Sequence, residues 1–190
     1  MTTKWSMKDS DMRPVVFEYF ESQHDTCRFF EELCIGKSRA DAIFVTSDTI
    51  YGFEFKSDCD STSRLLRQIN DYERFCDLMY VVCGCKLLDK VKEIIPPYWG
   101  IINIEEIGNN YTLNIVRYPT ETKKRYRLHN QLRLLWRCEL IPFVRKFKLG
   151  GVSNKNKLKL VKTLETSLSK EVLKTELCDI LINRDYSIFD

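Results

Sequence analysis

Two acids and an amine are the residues of this chain best suited to chemistry: Asp41, closing the run Ser38-Arg39-Ala40-Asp41, and Glu54 with Lys56, in Gly52-Phe53-Glu54-Phe55-Lys56. Residues 40 to 45 and 50 to 55 are β-prone and rich in apolar side chains, and Thr46-Ser47-Asp48-Thr49 between them reads as a short hairpin connection. An even, symmetric loop sets Val45 against Ile50, and therefore Asp41 against Glu54. Alternation then adds Lys56 to the same face. Opposed residues of an antiparallel pair lie roughly 4.5 to 5.5 Å apart at Cα, close enough for two carboxylates to share one ion. Without a cation, facing like charges destabilise the sheet. Oxygen donors of this kind suit Mg2+ or Mn2+, which polarise a scissile phosphate and lower the pKa of an attacking water. A lysine beside them orients that water or stabilises developing negative charge. The corresponding chemistry is hydrolysis of a phosphodiester.

Glu-x-Lys alone is equally at home on a solvated strand, where it forms a surface ion pair of little consequence. Here Ala42, Phe44, Phe53 and Phe55 make the opposite face apolar, while Ile43 and Val45 extend the Asp41 face. Both faces therefore read as covered, and acids between them need a partner or a metal.

The next element reads as a helix from 61 to about 77, with Leu65, Ile69, Tyr72 and Cys76 as its buried stripe. Gln68 and Tyr72 lie one turn apart at the edge of that stripe, within reach of a metal water, the lysine or a phosphate.

In this order, Asp41, Glu54-Phe55-Lys56 and Gln68 with Tyr72 four residues later resemble the PD-(D/E)XK nuclease superfamily, and the Gln-x-x-x-Tyr motif is similar to that of its RecB-like branch. The strings Glu31-Glu32-Leu33, Ile95-Pro96-Pro97-Tyr98-Trp99-Gly100 and Leu134-Leu135-Trp136-Arg137 extend the likeness to a little-characterised bacterial and phage family of that superfamily. The resemblance implies that Asp41 and Glu54 bind metal, that Lys56 is the catalytic lysine, and that Gln68 and Tyr72 support the site. A further acid often comes from an early helix or strand. Glu18, Glu21, Glu31 and Glu32 are available, and Glu32 is favoured because its strand precedes the hairpin.

The remaining elements agree with an α/β, restriction-endonuclease-like fold: an αβββαβ core with a mixed central sheet, plus a C-terminal helical region. A first helix is expected at 13 to 22, strands at 27 to 35, 78 to 83, 99 to 104 and 111 to 118, and a short helix at 89 to 94 stopped by Pro96-Pro97. Residues 1 to 119 form the nuclease-like core in this reading and 120 to 190 the helical region. There one helix carries Leu128, Leu132, Leu135 and Trp136 and breaks near Pro142, and two more follow the turn at Gly150-Gly151.

The net charge of +3 conceals a polarised chain. Residues 1 to 118 hold 14 Lys+Arg against 19 Asp+Glu, net −5, and 119 to 190 hold 16 against 8, net +8. Lys123, Lys124, Arg125, Arg127, Arg133 and Arg137 are the expected nucleic-acid contacts, since basic residues supply sequence-independent affinity for a phosphate backbone. Charge runs also end as solvated helix faces.

No run approaches the roughly 18 apolar residues of a membrane span, and the N-terminal residues lack the apolar stretch of a signal peptide, so a cytoplasmic location is expected. The eight cysteines include no Cys-x-x-Cys pair and read as buried thiols rather than as ligands of zinc or an iron-sulfur cluster. His24 and His129 stand beside no nucleophile in sequence.

The function expected is a Mg2+- or Mn2+-dependent nuclease acting on DNA, with RNA as the alternative substrate and a homodimer where both strands of a duplex are cut. The competing class is a noncatalytic nucleic-acid- or protein-binding module on the same fold, as a phage or mobile element would encode to interfere with host machinery.

Overall fold

The structure is a computed structural model that describes residues 7–108, 110–121 and 127–187. Six strands form one sheet in chain order: β1 (Cys27–Ile35), β2 (Ser38–Thr46), β3 (Ile50–Lys56), β4 (Leu78–Gly84), β5 (Gly100–Ile107) and β6 (Asn110–Arg117). The first three form an antiparallel meander, β3, β4 and β5 are parallel, and β6 returns antiparallel. The two parallel steps cross over through α2 (Leu65–Phe75) and α3 (Leu88–Ile94). Right-handed crossovers that advance in one direction must lie on one face of a sheet. Accordingly Leu65 and Ile69 of α2 and Val91 of α3 share a core with Ile43, Val45, Val81 and Ile101.

Helix α1 (Asp9–Glu21) covers the other face, where Met12, Val16 and Phe20 pack on Phe44, Phe53, Tyr80 and Ile102. The C-terminal helices α4 (Arg127–Leu132), α5 (Arg137–Lys146), α6 (Lys157–Ser167) and α7 (Lys170–Ile182) join the α2-side core through Leu132, Leu140, Leu164 and Leu177. The α/β class, the αβββαβ order, the mixed sheet and the helical C-terminal region are as the sequence implies.

Four details differ from the sequence reading. Helix α1 starts at Asp9 rather than at 13, because Asp11 accepts the Lys8 N–H at 2.8 Å and caps an extra turn, while the Pro14 ring sits on the exposed side. Helix α2 starts at Leu65 rather than at 61, since Asp60 takes hydrogen bonds from the Ser57 N–H and hydroxyl at 2.7 and 2.6 Å and holds that segment as a turn. The expected C-terminal helix breaks at 133 to 136, where Leu134 and Leu135 turn inward, and not at Pro142, which lies exposed inside α5. Finally, the thiols are not all buried: Cys76, Cys83 and Cys178 are, but Cys34, Cys59, Cys85 and Cys138 fall on outward-facing positions and are exposed.

Candidate active site

The hairpin register follows the expected rule from Val45↔Ile50 to Ala42↔Phe53, and then pairing stops one residue short of Asp41 and Glu54. The β1–β2 ladder is interrupted at the same level, passing from Glu31↔Ala42 to Leu33↔Ala40. Beside the gap Glu32 has a φ of 54°, a left-handed backbone that costs a side-chain-bearing residue about 1–2 kcal/mol. The strands change face here. Ala40 packs in the α2-side core but Ala42 in the α1-side core, and Phe30 and Ile35 both reach the α2 side although their spacing is odd. Asp41 thus enters the site through a break in the ladder, not as the directly paired residue that plain alternation gives.

Side chains replace the missing ladder bonds. The Tyr72 hydroxyl accepts from the Asp41 N–H at 3.0 Å and donates to the Phe53 carbonyl at 2.8 Å, bridging β2 and β3. The Asp41 Oδ2 accepts the Phe55 N–H at 2.8 Å. Tyr72 is fully buried, and its ring lies against Gly52: a Cβ there would stand 2.4 Å from the Tyr72 ring and 2.8 Å from the Cys76 sulfur. Burial, followed by the nearby Glu54 and Asp41, pushes the phenol well up, so it stays protonated. Tyr72 therefore supports the strands that carry the acids and faces the core.

Glu54, Lys56 and Gln68 make the floor. Glu54 is fully buried, and its Oε1 accepts from the Lys56 amine and, at 2.5 Å, from the Gln68 side-chain amide. Lys56 also donates to the Phe55 carbonyl at 3.2 Å. Two buried oxygens beside this cluster, Glu54 Oε2 and Gln68 Oε1, have no partner among the described residues. Burial and the Glu54 charge push Asp41 up to about 7, against the opposing pull of the Phe55 N–H and Lys56.

A cleft of about 410 Å³ opens above them, lined by Asp41, Glu54, Lys56, Gln68 and Glu32 among others. The sequence-expected residues are thus assembled in one place, with Tyr72 beneath. Glu32 is already engaged, its Oε1 by Arg13 at 2.9 Å and its Oε2 by Arg39 at 2.5 Å. Arg13 is a hub unforeseen in the sequence. It grips Asp9 through two bonds of 2.8 and 2.7 Å, reaches Glu31 at 2.9 Å and donates to the Asp41 carbonyl at 2.8 Å. The Asp9–Arg13 spacing of four residues is a helix-pair signal, but it became legible only with the extra turn of α1.

The expected nucleic-acid residues lie elsewhere. Lys123, Lys124 and Arg125 fall outside the described residues. Arg127 turns inward to Asp77, whose N–H binds the Ile50 carbonyl at the start of β3, whereas the cleft lies at that strand's end. Four to six residues of strand separate the two levels by about 13 to 20 Å. Arg133 and Arg137 are exposed, the latter donating to the Lys155 carbonyl at 3.3 Å. The basic residues that do line the cleft are Lys37, Arg39, Arg64 and Arg67, besides Arg13 and Lys56.

A family model described as bacteriophage P4 protein cII matches residues 7–187. The chain belongs to that family. The fold is also similar to an SPO1766 protein of unknown function from Silicibacter pomeroyi, at 16% identity and a TM-score of 0.49, over 78% of this chain and 98% of that one. A more distant likeness, with 15% identity and a TM-score of 0.34, is to SfsA of Pyrococcus furiosus in complex with Ca2+, over 55% of the family member described here and 59% of that chain. No curated protein matches the sequence.

Proposed function

We propose that this phage-family protein is a metal-dependent nuclease of the PD-(D/E)XK type that hydrolyses phosphodiester bonds in DNA. The observation that carries the reading is the Glu54 carboxylate, fully buried with one oxygen unpartnered among the described residues, on the same cleft as Asp41, Lys56 and Gln68. A buried carboxylate oxygen without a donor is costly, and a hard cation satisfies it. Gln68 Oε1, also buried and without a partner among the described residues, adds a neutral oxygen of the right chemistry, and the facing Asp41 charge is one that a cation would offset. Asp41 and Glu54 are accordingly the residues that would hold Mg2+ or Mn2+, and both Glu32 oxygens would have to leave arginines before joining them.

Such an ion supplies polarisation of a phosphoryl oxygen and a lowered pKa for water. The chain's own groups do the rest. Lys56, held by Glu54 and the Phe55 carbonyl, sets its amine at the floor of the cleft, where negative charge develops during attack on phosphorus. Gln68 fixes the Glu54 carboxylate from the helix side, and Tyr72 fixes the β2–β3 gap that turns Asp41 inward.

Incubating wild-type protein and Lys56→Ala with labelled single-stranded and duplex DNA, in Mg2+, Mn2+ or EDTA, tests the reading. Cleavage that requires metal and falls at least about 100-fold in the variant is expected. DNA binding without cleavage under any condition would instead support a noncatalytic binding module.

A further inference from the structure

The cleft has a rim whose charges the catalytic reading leaves unused. Lys37 leads out of the β1–β2 turn, Arg64 is the N-cap residue of α2, and Arg67 lies in that helix's first turn. All three are exposed, all line the cleft, and none has an ion-pair partner among the described residues. They belong to one wall. The turn carrying Lys37 is fastened to α2 by the Ser38 hydroxyl, which donates to Asp71, and by Gly36, where a Cβ would stand 3.3 Å from the Phe75 ring. Arg67 lies one turn before Asp71 on the same helix.

The facing side of the cleft is different. There Arg13 is already saturated by Asp9, Glu31 and Glu32, and Arg39 is paired with Glu32. A cation held by carboxylates has little left to offer a phosphate, whereas one without a carboxylate can release counterions on binding a polyanion. Of the C-terminal residues expected to contact nucleic acid, Arg127 does not serve this cleft directly, because it is engaged with Asp77 at the far end of β3.

Resting on the nuclease reading above, we propose that Lys37, Arg64 and Arg67 form the phosphate-binding rim of the site. They would track the backbone of one nucleic-acid strand along the α2 wall and carry its scissile phosphate over Asp41 and Glu54. The contacts are to phosphate, so they position the substrate without reading its sequence.

The test compares wild-type protein, the triple variant Lys37→Ala/Arg64→Ala/Arg67→Ala, and Arg133→Ala/Arg137→Ala, which removes two exposed cations of the rival patch. Binding of labelled single-stranded and duplex DNA is measured by fluorescence anisotropy in EDTA across a salt series, and cleavage is measured in Mg2+. Each lost phosphate contact lowers the slope of log affinity against log salt by about 0.7 to 0.9, so the rim variant should lose about 2 to 3 in slope. The rival pair should lose less. Because the three side chains are exposed and unpaired, thermal unfolding should be unchanged, which separates lost contact from lost fold. A rim variant with the wild-type slope would overturn the inference while leaving cleavage, and with it the nuclease reading, intact. Wild-type protein that neither binds nor cuts DNA would overturn both.

Discussion

Asp41 bears the electrostatic tension of the cleft, and its consequence is measurable without any substrate. Its ordinary value of 3.8 is raised to about 7, chiefly by burial and then by Glu54. A carboxyl whose folded value lies above its unfolded one costs nothing while it is protonated in both states. In metal-free protein, stability should therefore fall as pH rises from about 4 to about 7 and level off above that. Asp41→Asn keeps an oxygen for the Phe55 N–H and removes the charge. The variant should be more stable than wild type at pH 8 in EDTA by about 1–3 kcal/mol, less than the full shift because the site opens to water, and should show no advantage near pH 4. Urea unfolding of both proteins at the two pH values decides it, and a variant whose advantage over wild type is no larger at pH 8 than at pH 4 would contradict the assignment. At this scale the four-residue loop made the nearness of Asp41, Glu54 and Lys56 legible, although Asp41 arrives through a break in the ladder, and the helix stripe made Gln68 legible. Arg13, Lys37, Arg64 and Arg67 were not. Their place depends on where α1 begins and on how a turn packs against α2, and no local pattern encodes either.

Among the elements, α2 does more than cover the sheet. Its Tyr72 hydroxyl stands in for the ladder at the point where β2 and β3 part, satisfying one donor and one acceptor that would otherwise be buried and unpaired. Tyr72→Phe preserves the ring against Gly52 and deletes only that bridge. Leaving the Asp41 N–H and Phe53 carbonyl without it should cost about 1–3 kcal/mol in urea unfolding, with hydrogen exchange at the Asp41 amide accelerated more than at Val45, where the hairpin pairing continues. Equal exchange at the two amides would mean that the gap is held by something else. The alternation of apolar residues foretold the strands and the helix stripe but not this gap, because the change of face at Glu32 and Asp41 requires a left-handed residue in a strand with no glycine to mark it.

For the whole molecule, the charge division between an acidic first part and a basic remainder is plain in the sequence, yet packing does not follow it. Leu132, Leu140, Leu164 and Leu177 of the C-terminal helices lie in the same continuous core as Ile43, Val45 and Met79 of the sheet. Asp77 ties them further: it accepts from the Ile50 N–H at 2.8 Å and the Gln131 amide at 3.0 Å, and it pairs with Lys174 of α7. Buried apolar area of this extent is worth about 25 cal/mol per Å², and uncovering it leaves one sheet face without its outer layer. A fragment ending at residue 119 should therefore fail to melt cooperatively and should bind a hydrophobic dye. The intact chain should unfold in a single transition, with tryptophan fluorescence and far-UV circular dichroism coincident. A fragment with its own sharp melt and fixed aromatic circular dichroism would show that the sheet with α1, α2 and α3 is self-sufficient, and that the C-terminal helices are attached to a finished core instead of completing it.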